Sequence, residues 1–280
     1  MLASPVLAAL FALSAALSWG AGDFTGGLAS RRVGAFPTVV VSYVAGLLVL
    51  AAVALGRGEP LPAPIDLWWG MVAGLAGVMG LGFLLRGFAE GRMGVVAPVS
   101  AVLSTSLPVA FAALTEGMPG GLQLVGFAVA LAGLWLLSRP ESVGGRPRGL
   151  GVALLAGLGF GGFYVIVSQV GANAVFWPLA GARLAALAAL VPLALARRRP
   201  LVPRSAPLGL IALAGMLDAG GNLFFLLATQ SGRLDVAAVL ASLYPAITAV
   251  LAWLIAGERL TRWQVAGAGA ALVAIVLITV

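Results

Sequence analysis

Ten apolar segments follow one another along the chain, separated by short links rich in Arg, Pro and Gly. Each holds about 18–24 residues, enough for a helix rising 1.5 Å per residue to cross a hydrocarbon core of ~30 Å. Because lipid cannot solvate an exposed backbone, we predict helices rather than strands. The predicted spans are 4–24, 36–56, 67–88, 95–115, 120–138, 149–170, 176–196, 206–229, 235–256 and 263–280.

Composition agrees with an all-α membrane protein and excludes much chemistry. Hydrophobic residues make up 61% of the chain and charged residues 9%, whereas soluble domains have about 25% charged residues. The chain has no Cys, His or Lys, which removes thiolate and imidazole metal ligands, the usual catalytic base and the Schiff-base amine. We therefore predict no catalytic residue, no metal site and no cofactor.

The two halves of the chain resemble each other. At an offset of 141 residues a Gly-Arg pair recurs, as do Gly, Pro and Gln: Gly20 with Gly161, Pro37 with Pro178, Gly91-Arg92 with Gly232-Arg233, Gln123 with Gln264, and Gly126 with Gly267. Glu116 matches Glu258 one residue out of step. The pattern predicts a repeat over 1–139, a linker over 140–148 and a second repeat over 149–280.

Five spans per half have a geometrical consequence. If the first repeat begins on one side of the bilayer, the second begins on the other, so the repeats are inverted. Inverted repeats are the architecture with which many transporters present a central site alternately to the two sides of the membrane.

The end of the second repeat resembles a known family. The stretch "SLYPAITAVLAWLIAGERLTRWQVAGAGAALVAIVLI" is similar to the last two helices of EamA-type transporters of the drug/metabolite transporter superfamily. The stretch "LPVAFAALTEGMPGGLQLVGFAVALAGLWLLS" resembles the corresponding part of the first copy. The resemblance covers the whole chain as two five-helix units, and it implies a ten-helix carrier of small metabolites such as amino acids or aromatic compounds.

Arginine is distributed unequally between the links, which predicts the orientation. The links after odd-numbered spans carry twelve Arg, whereas those after even-numbered spans carry only Arg57 and Arg233. By the positive-inside rule the odd links are cytoplasmic and both termini are extracytoplasmic, in a multi-pass protein of the cell (inner) membrane. Isolated interfacial Arg clusters of this kind predict contact with lipid and no nucleic-acid partner.

One acid lies near the middle of its span. Asp218 is about twelve residues into the eighth segment, where an acid costs about 2.5–3.5 kcal/mol on insertion scales. Asn222 follows one helical turn later, and Gly220 and Gly221 leave room for another backbone or a ligand. We predict that Asp218 lines a central cavity; the alternative is a structural pairing, for instance with Arg183.

Other polar and amphipathic side chains within spans complete the predicted substrate-binding set, because facing lipid is unfavourable for them. Arg183 either faces the cavity or extends to the interface, and Asp23 is either an interfacial cap or a second cavity acid. Asp218 and Asp23 are the candidate coupling acids. The substrate-binding set is Trp19, Tyr164, Arg183, Asp218, Asn222 and Tyr244.

These features predict a secondary transporter, working as an exporter of small metabolites by alternating access, either as a monomer or as a homodimer. One alternative is a membrane-embedded enzyme that uses Asp23 and Asp218 as an acid pair. Another is a membrane sensor or assembly protein that transports nothing.

Overall fold

The described residues form eleven α-helices that pack as a bundle. The computed structural model describes residues 5–89, 93–138, 150–198, 200–202 and 206–279, and these contain no strand. The ninth crossing, Leu234–Ala256, consists of α9 and α10, so the described residues form the ten spans predicted from the sequence. The helices are α1 Pro5–Val33, α2 Ala35–Gly56, α3 Pro64–Ala89, α4 Met93–Thr115, α5 Gly121–Ser138, α6 Leu150–Val167, α7 Phe176–Ala196, α8 Leu208–Ser231, α9 Leu234–Ala241, α10 Tyr244–Ala256 and α11 Arg262–Thr279.

The first helix is longer than its apolar segment. The sequence predicts a span over 4–24, but α1 continues to Val33. Polar residues in this extension bond to the helix itself: Thr25 Oγ1 donates to the Ala21 carbonyl at 2.9 Å, and Ser30 Oγ donates to the Gly27 carbonyl at 2.9 Å. With its hydroxyls satisfied and no Pro to interrupt it, the helix does not end where the apolar run ends.

The ninth span is broken, although the sequence predicts one helix over 235–256. The chain leaves the helix at Ser242 and Leu243, just before Pro245. Proline has no N–H to donate to the carbonyl four residues earlier, and its ring collides with that carbonyl. All residues of α9 are buried, whereas α10 has none buried, so the break joins a central half-helix to a peripheral one.

The two halves are inverted repeats that pack reciprocally. The first helix of each half, α1 or α6, packs against the third and fourth spans of the other half. The second helices, α2 and α7, pack together, as do the fifth helices, α5 and α11. The predicted linker 140–148 lies outside the described residues, and the exact division there stays a prediction.

Equivalent glycines make equivalent contacts between the halves. A methyl group on Gly74 would overlap the backbone of Ala182, and one on Gly215, 141 residues later, would overlap the backbone of Ser42. Gly20 likewise lies against Ile247, while Gly161 lies against Leu107. In each half, therefore, the third helix closely approaches the second helix of the other half, and the first helix closely approaches the fourth span of the other half.

Links of the same parity meet on the same side of the bundle. Arg31, after the first span, forms an ion pair of 2.7 Å with Glu258, after the ninth. Glu59, after the second span, accepts a hydrogen bond of 2.7 Å from the backbone N–H of Val175, after the sixth. The alternation of sides from span to span follows from these contacts, while the side that faces the cytoplasm stays a prediction.

Candidate functional site

A cavity of about 600 Å³ lies between the two halves. Parts of α1, α2, α3, α4, α6, α7, α8 and α10 line it, together with the end of α5. The structure brings every predicted binding and coupling residue to this one cavity: Trp19, Asp23, Tyr164, Arg183, Asp218, Asn222 and Tyr244. That these residues bind a substrate stays a prediction.

The cavity extends toward the arginine-rich side of the bundle. It reaches Ser30 near the end of α1, Ala35 at the start of α2 and Ser138 at the end of α5. These positions adjoin the links after the first and fifth spans. The cavity is therefore open toward the side that the Arg distribution predicts to be cytoplasmic.

An aromatic cluster closes the opposite end. The ring centroid of Trp19 lies 5.7 Å from that of Tyr164 and 5.8 Å from that of Phe225, and the Tyr164 and Phe225 centroids are 4.6 Å apart. Tyr244 meets Trp19 edge to face. Phe225 is fully buried, as are Ala12, Ala15 and Ala228 in the same part of the helices.

Helices α1 and α8 hold Trp19 in place. Its indole Nε1 donates a 3.0 Å hydrogen bond to Asn222 Oδ1. Gly221 makes this contact feasible, because any larger residue there would overlap the indole ring. Ser18, which precedes Trp19 on α1, donates from Oγ to the carbonyl of Leu217, one turn before Gly221 on α8, at 2.6 Å. The sequence predicts that Gly220 and Gly221 admit another backbone or a ligand, whereas in the structure side chains of α1 occupy that space: Trp19 beside Gly221 and Ser18 beside Gly220.

Asp218 pairs with Arg183. Arg183 Nη2 lies 2.5 Å from Asp218 Oδ2, and the Arg183 side chain is 5% exposed whereas that of Asp218 is 37% exposed. The ring of Tyr43 covers the guanidinium, with its centroid 4.5 Å from Cζ. Both interpretations of Asp218 describe the structure, because this carboxylate lines the cavity and neutralises a buried cation.

Asp23 differs from Asp218 in its surroundings. It lies on α1 one turn after Trp19 and lines the cavity, and because α1 continues to Val33 it does not cap the end of that helix. No described residue forms a hydrogen bond or ion pair with it. Across the part of the chain that the structure describes, no three acidic side chains come together as a metal site would require.

A polar clasp joins two links at the closed end. Arg233 binds Asp235 Oδ2 through Nη2 at 2.6 Å and donates from the same nitrogen to the Gly117 carbonyl at 2.7 Å. Glu116 accepts from the backbone N–H of Leu234 at 3.3 Å. The hydrogen bonds with Asp235 raise the pKa of Arg233, and burial raises the pKa of Glu116. The clasp holds the link after the fourth span against the start of α9.

Sequence reasoning missed three parts of this arrangement. Phe225 is an apolar aromatic residue and carries no signal that separates a cavity wall from a lipid face. Tyr43 lies within a span, as Tyr164 and Tyr244 do, and its hydroxyl is the signal that could have placed it with them. In the sequence, Arg233 is recognisable only as one of the two Arg residues in the links after even-numbered spans, and nothing there shows the contacts of the clasp. Asp235 two residues later is the signal that could have indicated a local ion pair.

Comparisons with known proteins agree with this architecture. The model of the EamA-like transporter family matches residues 6–139 and 147–280. A solved structure described only as a crystal structure of a protein has a similar fold, with a TM-score of 0.74 and 21% sequence identity over 98% of this chain and 96% of that chain. Among curated proteins, none matches the chain closely enough to count as a relative.

Proposed function

Because the chain belongs to the EamA-like transporter family, and so is a multi-pass membrane transporter of the drug/metabolite type, we propose that it exports small metabolites by alternating access. Amino acids and aromatic compounds are the candidate substrate classes, and the substrate occupies the cavity between the halves. The observation that carries this proposal is the cavity itself, which is open toward one side and closed toward the other by Trp19, Tyr164 and Phe225.

The direction of the opening supports export. An exporter loads its substrate from the cytoplasm, and the cavity opens toward the side on which the links carry twelve Arg. The opposite side is held by the aromatic cluster and by the clasp of Arg233 with Gly117. Release to that side requires both to separate, and the inverted repeat provides an equivalent arrangement of helices for the second state.

Flux through the cavity tests the proposal. Proteoliposomes loaded with a mixture of amino acids and aromatic metabolites should lose a subset of them faster than protein-free vesicles. Ala101 lines the cavity, so Ala101→Trp should block the path and lower this flux by about tenfold or more, an effect of at least about 1.4 kcal/mol on the barrier. Efflux of each compound is measured by mass spectrometry.

Leu114→Trp is the matched control, because Leu114 is 87% exposed on the outer surface of α4 and should transport as the wild type does. Chemical conversion of a loaded compound would favour the membrane-enzyme alternative. Absence of flux for every compound would favour the sensor alternative.

Orientation is tested separately, and the natural absence of Cys makes labelling clean. Single cysteines at Arg197→Cys, beside Arg198, and at Ala172→Cys, beside Asn173, occupy exposed links on opposite sides. In intact cells an impermeant maleimide should label the cysteine at 172 and leave the cysteine at 197 unlabelled until the membrane is permeabilised. Labelling of the cysteine at 197 from outside would reverse the proposed topology, including both extracytoplasmic termini.

A further inference from the structure

The charges on the described lining of the cavity do not balance. Among the described residues, the charged side chains that line it are Asp23, Arg183 and Asp218. Arg183 and Asp218 form an ion pair at 2.5 Å and together are neutral. Asp23 has no hydrogen-bond or ion-pair partner among the described residues. When Asp23 is ionised, the described lining of the cavity therefore carries one uncompensated negative charge.

We infer that Asp23 binds the positive charge of an organic cation, an ammonium group attached to an aromatic or aliphatic body. This inference rests on the proposed function and narrows its substrate class from small metabolites to cationic ones. Asp23 is exposed to the cavity and has no hydrogen-bond or ion-pair partner among the described residues, so its carboxylate is free to contact a ligand. A cleft whose uncompensated charge is negative attracts cations.

The walls beside Asp23 suit such a ligand. Trp19 lies one helical turn from Asp23 on α1, and Tyr164 and Tyr244 line the same cavity. The faces of aromatic rings attract cations, including quaternary ammonium groups that cannot donate hydrogen bonds. Gly22, Gly26 and Gly27 also line the cavity next to Asp23, so the backbone of α1 leaves room for a bulky head group.

An anionic ligand fits less well, because Arg183, the cation among the described lining residues, is already engaged. Arg183 is 4% exposed, its guanidinium is paired with Asp218 and its face is covered by Tyr43. Its Nε and Nη2 are both buried, so a ligand in the cavity does not reach these donors unless the surrounding side chains move. A ligand carboxylate would have to displace Asp218 to reach Arg183, leaving a second acid unpaired.

Binding to the purified full-length protein tests the inference without requiring transport. The probes are phenyltrimethylammonium and tert-butylbenzene, which have the same shape and differ in charge, together with the anion phenylpropionate. We expect calorimetry or Trp fluorescence to show tight binding of the cation and weak binding of the other two. Asp23→Asn should weaken cation binding by more than about tenfold, whereas Asp23→Glu should largely restore it.

Glu258→Gln is the matched control. It removes one acidic charge at an exposed ion pair outside the cavity and retains Asp23, so it should bind the cation within about threefold of the wild type. Equal binding of phenyltrimethylammonium and tert-butylbenzene would overturn the inference. Preference for phenylpropionate, or wild-type cation affinity in a folded Asp23→Asn variant, would do the same.

The flux assay separates this inference from the proposed function. Metabolite efflux that Ala101→Trp blocks but Asp23→Asn leaves unchanged would reject the cation site and retain the transporter. Cation binding that depends on Asp23, without flux of any compound, would reject the transport proposal and retain the site.

Discussion

Replacement of Asp218 by Asn is expected to destabilise the folded protein by about 3–5 kcal/mol, the range measured when one partner of a buried ion pair is removed. The side chain of Arg183 is 5% exposed, and Asp218 supplies the counter-charge at 2.5 Å. A guanidinium cannot lose its proton within a protein, so the variant holds an uncompensated buried cation. Thermal unfolding of the purified protein should show a large fall in Tm.

Removing the other partner of the ion pair, in Arg183→Gln, should destabilise the folded protein less. Asp218 is 37% exposed to the cavity, so after Arg183→Gln its carboxyl can contact water or accept a proton. The double variant Arg183→Gln with Asp218→Asn should regain most of the stability, because replacing a whole buried pair is often nearly neutral. Equal losses in the two single variants would contradict the role given to the exposure of Asp218, and an unchanged Tm for Asp218→Asn would show that the ion pair does not stabilise the fold.

This expectation differs from the one that the sequence alone supports. Asn is nearly the same size as Asp, so if Asp218 only lines the cavity, Asp218→Asn is expected to fold normally and to lose most of its transport or the pH dependence of transport. The pairing of Asp218 with Arg183 depends on the distance between α7 and α8, which no spacing along the chain reveals. From the sequence alone the ion pair is one of two alternatives for Asp218, and only the packing of the helices shows that it forms.

The crossings were predictable from the sequence because lipid imposes the strongest constraint on them. Apolar length determines the ten spans, and five spans per half determine the inversion of the repeats. The break before Pro245 and the extension of α1 to Val33 were not predicted. Both features depend on local hydrogen bonds: the hydroxyls of Thr25 and Ser30 bond to carbonyls of α1, whereas Pro245 has no N–H to donate. The pattern of apolar residues does not show which of these hydrogen bonds form.

The cavity residues could be predicted for a related reason. Polar side chains within spans avoid lipid, so residues such as Asn222 and Tyr164 were expected to share one interior surface. The same rule does not place Phe225, because an apolar ring is as favourable in lipid as in the aromatic cluster that closes the cavity. It also cannot tell which of Asp23 and Asp218 is paired, because that depends on the position of Arg183 on a third helix.

Adding a methyl group at Gly74 or Gly215 is expected to destabilise the protein by about 3 kcal/mol or more, at the upper end of overpacking effects. In Gly74→Ala the new methyl would overlap the backbone of Ala182, and in Gly215→Ala it would overlap the backbone of Ser42. A flexible side chain could rotate away, whereas a helical backbone moves only with its whole helix. Gly74→Ala therefore pushes α3 away from α7, and Gly215→Ala pushes α8 away from α2.

Gly82→Ala in α3 and Gly209→Ala in α8 are the matched controls, because a methyl at either position would have no neighbour within 4 Å. Alanine favours helix over glycine by about 1 kcal/mol, so both controls should leave the Tm unchanged or raise it. Since Gly74 and Gly215 occupy equivalent positions in the two repeats, their variants should lose similar stability, measured by thermal unfolding at matched detergent and protein concentrations. A large loss at one position and none at the other would show that only one of the two reciprocal contacts holds the halves together.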